Sequence, residues 1–341
     1  MTDFFTFDDA DAALFEREFA EFLPAELFDI HAHIFRDERT FAPRDYRNHF
    51  GGDAGGAKTV AALRLLLPGR KIGLNAFAFP DPEVDRAKAD AEIGALVDGR
   101  DFFGMALTSP ADDFDAWVLR IERNRLTGAK PYLNLVPGKA AAEVEIADML
   151  SPAQLEYLDR RGLAVMLHIP RAGRLADPLN RSQLLEFARR YPRIGWIVAH
   201  IGRAYSFNVV ENLLDDLARE ENIYLDTAML CHERVLEYAF THFPRERMFF
   251  GSDVPIAFLR GKSVEINGQY AYLTADDYRL GSSIYDARHT VEFTFFLYEE
   301  LRALKLAMNR LNFSEAEKES FFGGAARTFC HRIYNQNFVS R

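Results

Sequence analysis

The chain has 341 residues, 48% of them hydrophobic, which is enough to fill either two ordinary domains or one large α/β barrel. Its 41 basic and 51 acidic residues give a net charge of −10, and no concentrated Lys/Arg stripe is present to track a phosphate backbone, so nucleic acid is excluded as an expected partner. No uncharged apolar run of about 18 residues occurs, so no membrane-spanning helix is expected.

Residues 1–24 are acidic, with neither a basic leader nor a long apolar segment, and no secretory or transit signal is expected there. Phe4, Phe5, Phe7, Phe15, Phe19 and Phe22 make this stretch more apolar than a solvated tail needs. It is expected to pack on its own core or on that of a neighbouring copy. Residues 27–33, reading LFDIHAH, have the composition of a short strand, in which His31 and His33 share a face because strand side chains alternate.

Further strands are expected at 71–77, 102–108, 130–136, 163–169, 194–200, 222–228 and 247–253. The stretches between them, such as 111–126 and 182–192, space their apolar residues as amphipathic helices do. Eight strands alternating with helices imply a parallel sheet, and eight is the number that closes into a barrel. An open, doubly wound sheet is the weaker reading, because no glycine-rich dinucleotide fingerprint follows the first strand. The GGDAGG stretch at 51–56 reads as a flexible loop.

Two connections are long, 34–70 after the first strand and 254–285 after the eighth, and in a barrel both rise from the catalytic face as lids. The chain then carries helical patterns over 286–311 and 314–336, and no internal repeat. The expected fold is therefore a single α/β domain over 1–341: a (β/α)8 TIM barrel with lid insertions after the first and eighth strands and a C-terminal helical segment over about 286–336.

On that frame His31 and His33 end the first strand, His168 the fifth, His200 the sixth and Asp253 the eighth. All five stand at the C-terminal edge, where barrel enzymes place their chemistry. Several histidines with a carboxylate at one mouth form a ligand set suited to Zn²⁺ or a similar divalent ion. His49, His232, His242, His289 and His331 read instead as ordinary hydrogen-bonded residues. Cys231 and Cys330 fit no metal-binding spacing and no disulfide framework, which points to a reducing compartment and a cytoplasmic protein.

The His-x-His at 31–33, His168, the AHIG at 199–202, the GSD at 251–253 and the FFGGAARTF at 321–329 together resemble the amidohydrolase superfamily. Within it they resemble the metal-dependent hydrolase branch that includes the aminocarboxymuconate-semialdehyde-type decarboxylases, over about residues 27–330. The resemblance implies that His31, His33, His168 and Asp253 hold one divalent ion, Zn²⁺ foremost, with Mn²⁺ or another divalent ion as alternatives. It places His200 beside that ion as a base or electrostatic partner. Some members instead bridge two ions with a carboxylated lysine or a glutamate on the fourth strand. Lys130 opens the expected strand 130–136, at the end away from the mouth, so a mononuclear site is expected and Lys130 reads as a barrel-bottom or solvated residue. A homodimer is implied by the resemblance alone.

Such an ion activates water and polarises a carbonyl oxygen, which is the chemistry of hydrolysis. Asp253 would accept the proton and pass it to the leaving group, while His200 stabilises the oxyanion. The same cage serves non-oxidative decarboxylation of an unsaturated or aromatic acid. Arg171 and Arg174 follow His168, and Arg203 and Tyr205 follow His200. Guanidinium groups pair bidentately with carboxylates, so a small anionic ester, lactone or amide is the expected substrate, against the alternative that these arginines bridge loop acids such as Asp177. Phe35, Tyr270 and Tyr272 either wall the pocket or pack within the lid. A catalytically silent, metal-keeping barrel is opposed by His200 and Asp253, since a structural zinc site is closed by four ligands and needs no adjacent base.

Overall fold

Eight short parallel strands form the centre of the computed structural model, which describes residues 5–36, 47, 50 and 53–339. They are Glu26–Arg36, Lys71–Ala78, Phe102–Gly104 continued by Ala106–Thr108, Gly128–Pro131, Ala164–Leu167, Gly195–Val198, Ile223–Asp226 and Met248–Phe249. Each pairs in parallel with the next, as in Leu27 opposite Ile72, Val165 opposite Trp196 and Leu225 opposite Met248. The third strand is interrupted at Met105, whose N–H still donates to the Ala76 carbonyl at 2.9 Å.

The eighth strand returns to the first. Ile30 N–H donates to the Phe250 carbonyl at 3.0 Å, Asp253 N–H to the His31 carbonyl at 2.9 Å, and His33 N–H to the Val254 carbonyl at 2.7 Å. Ala32 and Val254 form a parallel bridge. These bonds close the barrel with its strands in chain order. Runs such as Val165-Met166-Leu167 and Trp196-Ile197-Val198 are wholly buried because one face fills the barrel and the other meets the helices.

The helices begin where the sequence supplies caps. Asp113 accepts the Ala116 N–H ahead of Phe114–Asn124, which buries Trp117 and Ile121. Ser151 and Gln154 form a capping box at Pro152–Arg161, and Asp177 with Pro178 opens Pro178–Arg190. The N-terminal helix Asp9–Glu18 packs on its own barrel: Phe19 lies 5.3 Å from the Tyr298 ring and Phe22 lies 5.6 Å from Phe322, centroid to centroid.

Three expectations need correction. The fourth strand runs Gly128–Pro131, not 130–136, because Leu133–Leu135 turns into a 3-10 helix. The C-terminal helix starts at Phe296, not at 286. The Asp286 carboxylate takes the N–H groups of Arg288, Thr290 and Val291, a local turn that competes with helix. In GGDAGG, Asp53–Ala54 pairs antiparallel with Phe35–Arg36, and Gly56 opens the helix Gly56–Leu66 against Leu96, where a Cβ would lie 2.4 Å from a Leu96 methyl. Gly51 and Gly52, with most of 37–50, His49 and Phe4, lie outside the described residues.

After the eighth strand, Gly261–Ile266 and Gln269–Thr274 form a hairpin through Asn267 and Gly268, both with positive φ as a tight hairpin turn requires. Ser283–Tyr285 adds a third strand in parallel. This small sheet covers the mouth, with Tyr270 and Tyr272 turned into the cavity. Among the described residues no helix is long and apolar enough to cross a membrane.

Candidate metal centre and active site

At the mouth lies a cavity of about 250 Å³, lined by His31, His33, His168, His200, Asp253 and Lys130, with Tyr132, Arg203, Tyr205, Tyr270 and Tyr272 among its walls. His31 and His33 project into it from the first strand, where a register shift occurs between Asp29 and Ala32. Their Nε2 atoms approach the same oxygen, Asp253 Oδ1, at 3.4 and 3.3 Å. Ligand atoms of these three buried residues all lie within 4.8 Å of one another.

The outer ring nitrogens are held from behind. His31 Nδ1 is 2.9 Å from Asp226 Oδ2, His33 Nδ1 is 3.4 Å from the Ala78 carbonyl, and His200 Nδ1 is 2.8 Å from the Ala228 carbonyl. A carbonyl only accepts, so His33 and His200 carry their proton on Nδ1 and present Nε2 as a lone pair. Burial pushes the His31, His33 and His168 imidazoles well toward the neutral form that a metal requires. Burial also works against the Asp253 carboxylate, yet His31 and His33 beside it hold the group at about 2. His31 Nε2 is buried without a hydrogen-bond partner.

Neutral imidazoles, an ionised carboxylate and an orphaned ring nitrogen fit a divalent ion held by His31, His33 and Asp253. His168 faces the same cavity without entering that tight group. Its Nε2 is 3.4 Å from the Tyr132 hydroxyl, its Nδ1 is unpartnered, and its ring centroid is 5.5 Å from that of His200.

The GSD segment has a physical reason at each position. A Cβ on Gly251 would lie 2.9 Å from the His31 Cβ, so only glycine lets the eighth strand approach the first this closely. Ser252 donates its N–H and its hydroxyl to Asp29, whose Oδ1 also accepts the His31 N–H. Asp253 adopts φ +63°, which turns its carboxylate toward the histidines. After the sixth strand, His200, Ile201, Gly202 and Arg203 are all left-handed, with φ of 55, 48, 67 and 64°. Three of the four are not glycine, so the turn stores strain at the site.

Asp226 ends the seventh strand, Ile223–Asp226, two residues short of the expected end at 228, and so is not among the residues that the sequence places at a strand end. It accepts from His31 Nδ1 on one oxygen and from the His200 and Ala228 N–H groups on the other. It also forms a compact group with His31 and His200, but both oxygens are used in support of other residues. Behind it, buried Glu300 accepts from the Thr227 hydroxyl at 3.2 Å and the Met229 N–H at 3.1 Å, fixing the loop whose Ala228 carbonyl orients His200.

Of the arginine and tyrosine candidates, Arg203 and Tyr205 line the cavity. Arg203 Nη1 donates to the Ile169 and Arg171 carbonyls. Arg171 pairs with Asp177 at 2.9 Å, outside the cavity wall. Arg174 lies 4.0 Å over the Tyr270 ring, itself 4.9 Å from Tyr205, and so buttresses the cap from behind. His232, His242 and His331 bond locally to Glu265, Asp215 and the Arg100 carbonyl, and neither they nor His289 line the cavity.

Lys130 overturns its sequence reading. Because the fourth strand ends at Pro131, five residues earlier than expected, Lys130 sits toward its C-terminal end and reaches the mouth, fully buried. Burial draws its ammonium down to about 8 while Asp253 and Asp226 oppose the shift. The argument for a mononuclear site that rested on its remoteness therefore falls.

The amidohydrolase family model matches residues 28–330. A search of curated proteins returned no match. Among solved structures, a 5-carboxyvanillate decarboxylase from Novosphingobium aromaticivorans with bound manganese is similar with a TM-score of 0.56 at 12% identity, covering 91% of this chain and 98% of that one. A putative 2-pyrone-4,6-dicarboxylic acid hydrolase from Pseudomonas putida gives 0.55 at 16% identity, over 91% and 99%. An amidohydrolase from Bifidobacterium longum subsp. infantis gives 0.53 at 15%, over 92% and 99%. At these identities the likeness is one of fold.

Proposed function

Because the chain belongs to the amidohydrolase family, we propose that it is a metal-dependent hydrolase acting on a small, carboxylate-bearing ester, lactone or amide. The observation that carries this reading is the convergence of His31 Nε2 and His33 Nε2 on Asp253 Oδ1, at 3.4 and 3.3 Å, in a buried pocket. Zn²⁺ suits the nitrogen-rich set best, and Mn²⁺ is the alternative. A bound ion supplies Lewis acidity, making water nucleophilic at neutral pH and polarising a carbonyl oxygen. Asp253, ionised at neutral pH, takes the proton from the attacking water and returns it to the leaving group. His200, with Nε2 turned inward, stabilises charge developing on the carbonyl oxygen, and His168, its ring 5.5 Å from that of His200, is the further ligand available to the ion. Arg203 and Tyr205 orient the substrate, while Arg171 and Arg174 act through the loop and cap.

A second reading, metal-dependent decarboxylation of an unsaturated or aromatic acid, is favoured by the rings of Phe79, Tyr132, Tyr205, Tyr270 and Tyr272 around so small a cavity. These walls suit a planar substrate. The fold serves both chemistries, so products decide. Zinc- or manganese-loaded protein is to be offered a panel of lactones, amides and unsaturated carboxylic acids in ¹⁸O-labelled water. Hydrolysis places the label in the product; release of CO₂ without label uptake favours the second reading. Full turnover by Asp253→Asn on any substrate found would refute the assigned chemistry.

A further inference from the structure

We propose that Glu300, on the helix Phe296–Arg310, is a positioning residue of the site: it clamps the turn after the seventh strand and so holds His200 with its proton on Nδ1 and its Nε2 toward the cavity. The catalytic consequence rests on the role given to His200 in the proposed reaction, while the clamp itself is readable without a substrate.

The turn reads Thr227-Ala228-Met229. Met229 has φ +60°, a left-handed conformation that a residue with a Cβ holds only when its surroundings impose it. Both of its peptide groups are held. The Met229 N–H donates to Glu300 Oε2 at 3.1 Å, and its carbonyl accepts from the Ser263 hydroxyl of the cap hairpin at 3.4 Å. On the other side of the turn, the Thr227 hydroxyl lies 3.2 Å from Glu300 Oε1, and the Thr227 N–H donates to the Phe249 carbonyl at 3.2 Å. Ala228 sits between the two residues that Glu300 grips, and its carbonyl stands 2.8 Å from His200 Nδ1. Turning that peptide away would remove the acceptor that selects the His200 tautomer.

Glu300 is fully buried, and burial together with its acidic neighbours Asp29 and Asp226 pushes the carboxyl well above the usual carboxylate range. An apolar side chain would cost less in that place, but it could not accept the Met229 N–H. A neutral carboxyl keeps one oxygen as the acceptor for Met229 and offers an O–H to Thr227, whose hydroxyl turns to either role. Glutamine reproduces that pattern, with its amide oxygen on the Met229 N–H and its amide N–H on Thr227 Oγ1. Leucine reproduces only the shape.

The test reads the His200 ring directly. Full-length, zinc-loaded protein carrying ¹⁵N-histidine is studied by proton–nitrogen correlation NMR, with the His200 signals identified by their loss in His200→Asn. Wild type is expected to show His200 in the Nδ1–H form alone, its ring proton slow to exchange with water. Glu300→Gln is expected to keep both properties. Glu300→Leu is expected to populate the Nε2–H form, or to exchange the ring proton faster by about tenfold or more, while circular dichroism and zinc content stay at wild-type values. A merely structural role would lower the urea midpoint and leave the tautomer as it is. Wild-type tautomer and exchange in folded Glu300→Leu would overturn the proposal, as would an equal loss in Glu300→Gln. If Glu300→Leu does not fold, Glu300→Asp, which draws the acceptor back by one methylene, decides on the same criteria. No substrate enters the measurement, so the hydrolase reading can fail without moving this result.

Discussion

Asp226 Oδ2 stands 2.9 Å from His31 Nδ1, with both side chains out of contact with water. Through that bond the seventh strand sets the ring that the first strand presents. The other oxygen of Asp226 accepts the N–H of His200 at 2.7 Å, so one carboxylate orients two members of the site. Asparagine offers a single acceptor oxygen in place of two. Asp226→Asn is expected to lower zinc affinity by about 10–100-fold, measured by chelator competition, with the fold retained by circular dichroism. Wild-type affinity in this variant would show that His31 needs no such support.

The approach of the eighth strand to the first gives a second expectation. Gly251→Ala would place a methyl 2.9 Å from the His31 Cβ and 3.3 Å from an Ile30 methyl, so either strand must shift. A loss of about 1–3 kcal/mol in urea unfolding is expected, with weakened zinc binding. Gly324 is the control: it has helical φ and ψ of −59° and −48°, and its nearest would-be contact is 3.4 Å. Gly324→Ala is expected to be neutral or to stabilise by about 0.4–1 kcal/mol. Equal effects at the two positions would contradict the strand-contact argument.

Much of this site was legible because barrel strands end where chemistry begins. His31, His33, His168, His200 and Asp253 were singled out by standing at strand ends, and all of them line one cavity. The two omissions have different causes. Asp226 lies inside the expected strand 222–228 and ends it only in the structure, a lone aspartate carries no spacing signal, and its role appears only when His31 is brought beside it across 195 positions. Lys130 reads as the first residue of its strand because Gly128 and Ala129 have low strand propensity. The strand ends at Pro131 where the chain turns into the 3-10 helix Leu133–Leu135, five residues before the expected end, and that difference puts the side chain at the mouth and not at the floor of the barrel. The Arg171 pairing with Asp177 was one of two readings open in the sequence, and tertiary contact chose it.

Glu299 yields a pH-dependent expectation remote from the site. Burial opposes its ionisation, but the Thr294 hydroxyl, Lys262 and Arg302 hold the carboxyl below its ordinary value of 4.5. These contacts tie the C-terminal helix to the cap hairpin. A carboxyl depressed by folding contributes stability that is complete above the ordinary value and is lost as pH falls through the lower folded value. Glu299→Gln is expected to cost about 1–2 kcal/mol at pH 7 in urea unfolding, and the gap to wild type should close as pH falls below 4.5 through the folded value. A gap that stays constant across that range would show that the charge is not what holds the helix.

His31, His33 and Asp253 are proposed to form a metal centre. Its most direct test is the zinc content of purified protein after loading and gel filtration, compared among wild type, His31→Ala and His200→Asn. Stoichiometric zinc is expected in wild type and in His200→Asn, and almost none in His31→Ala. A wild type that retains no divalent ion, or a His31→Ala variant that retains a full complement, would contradict it.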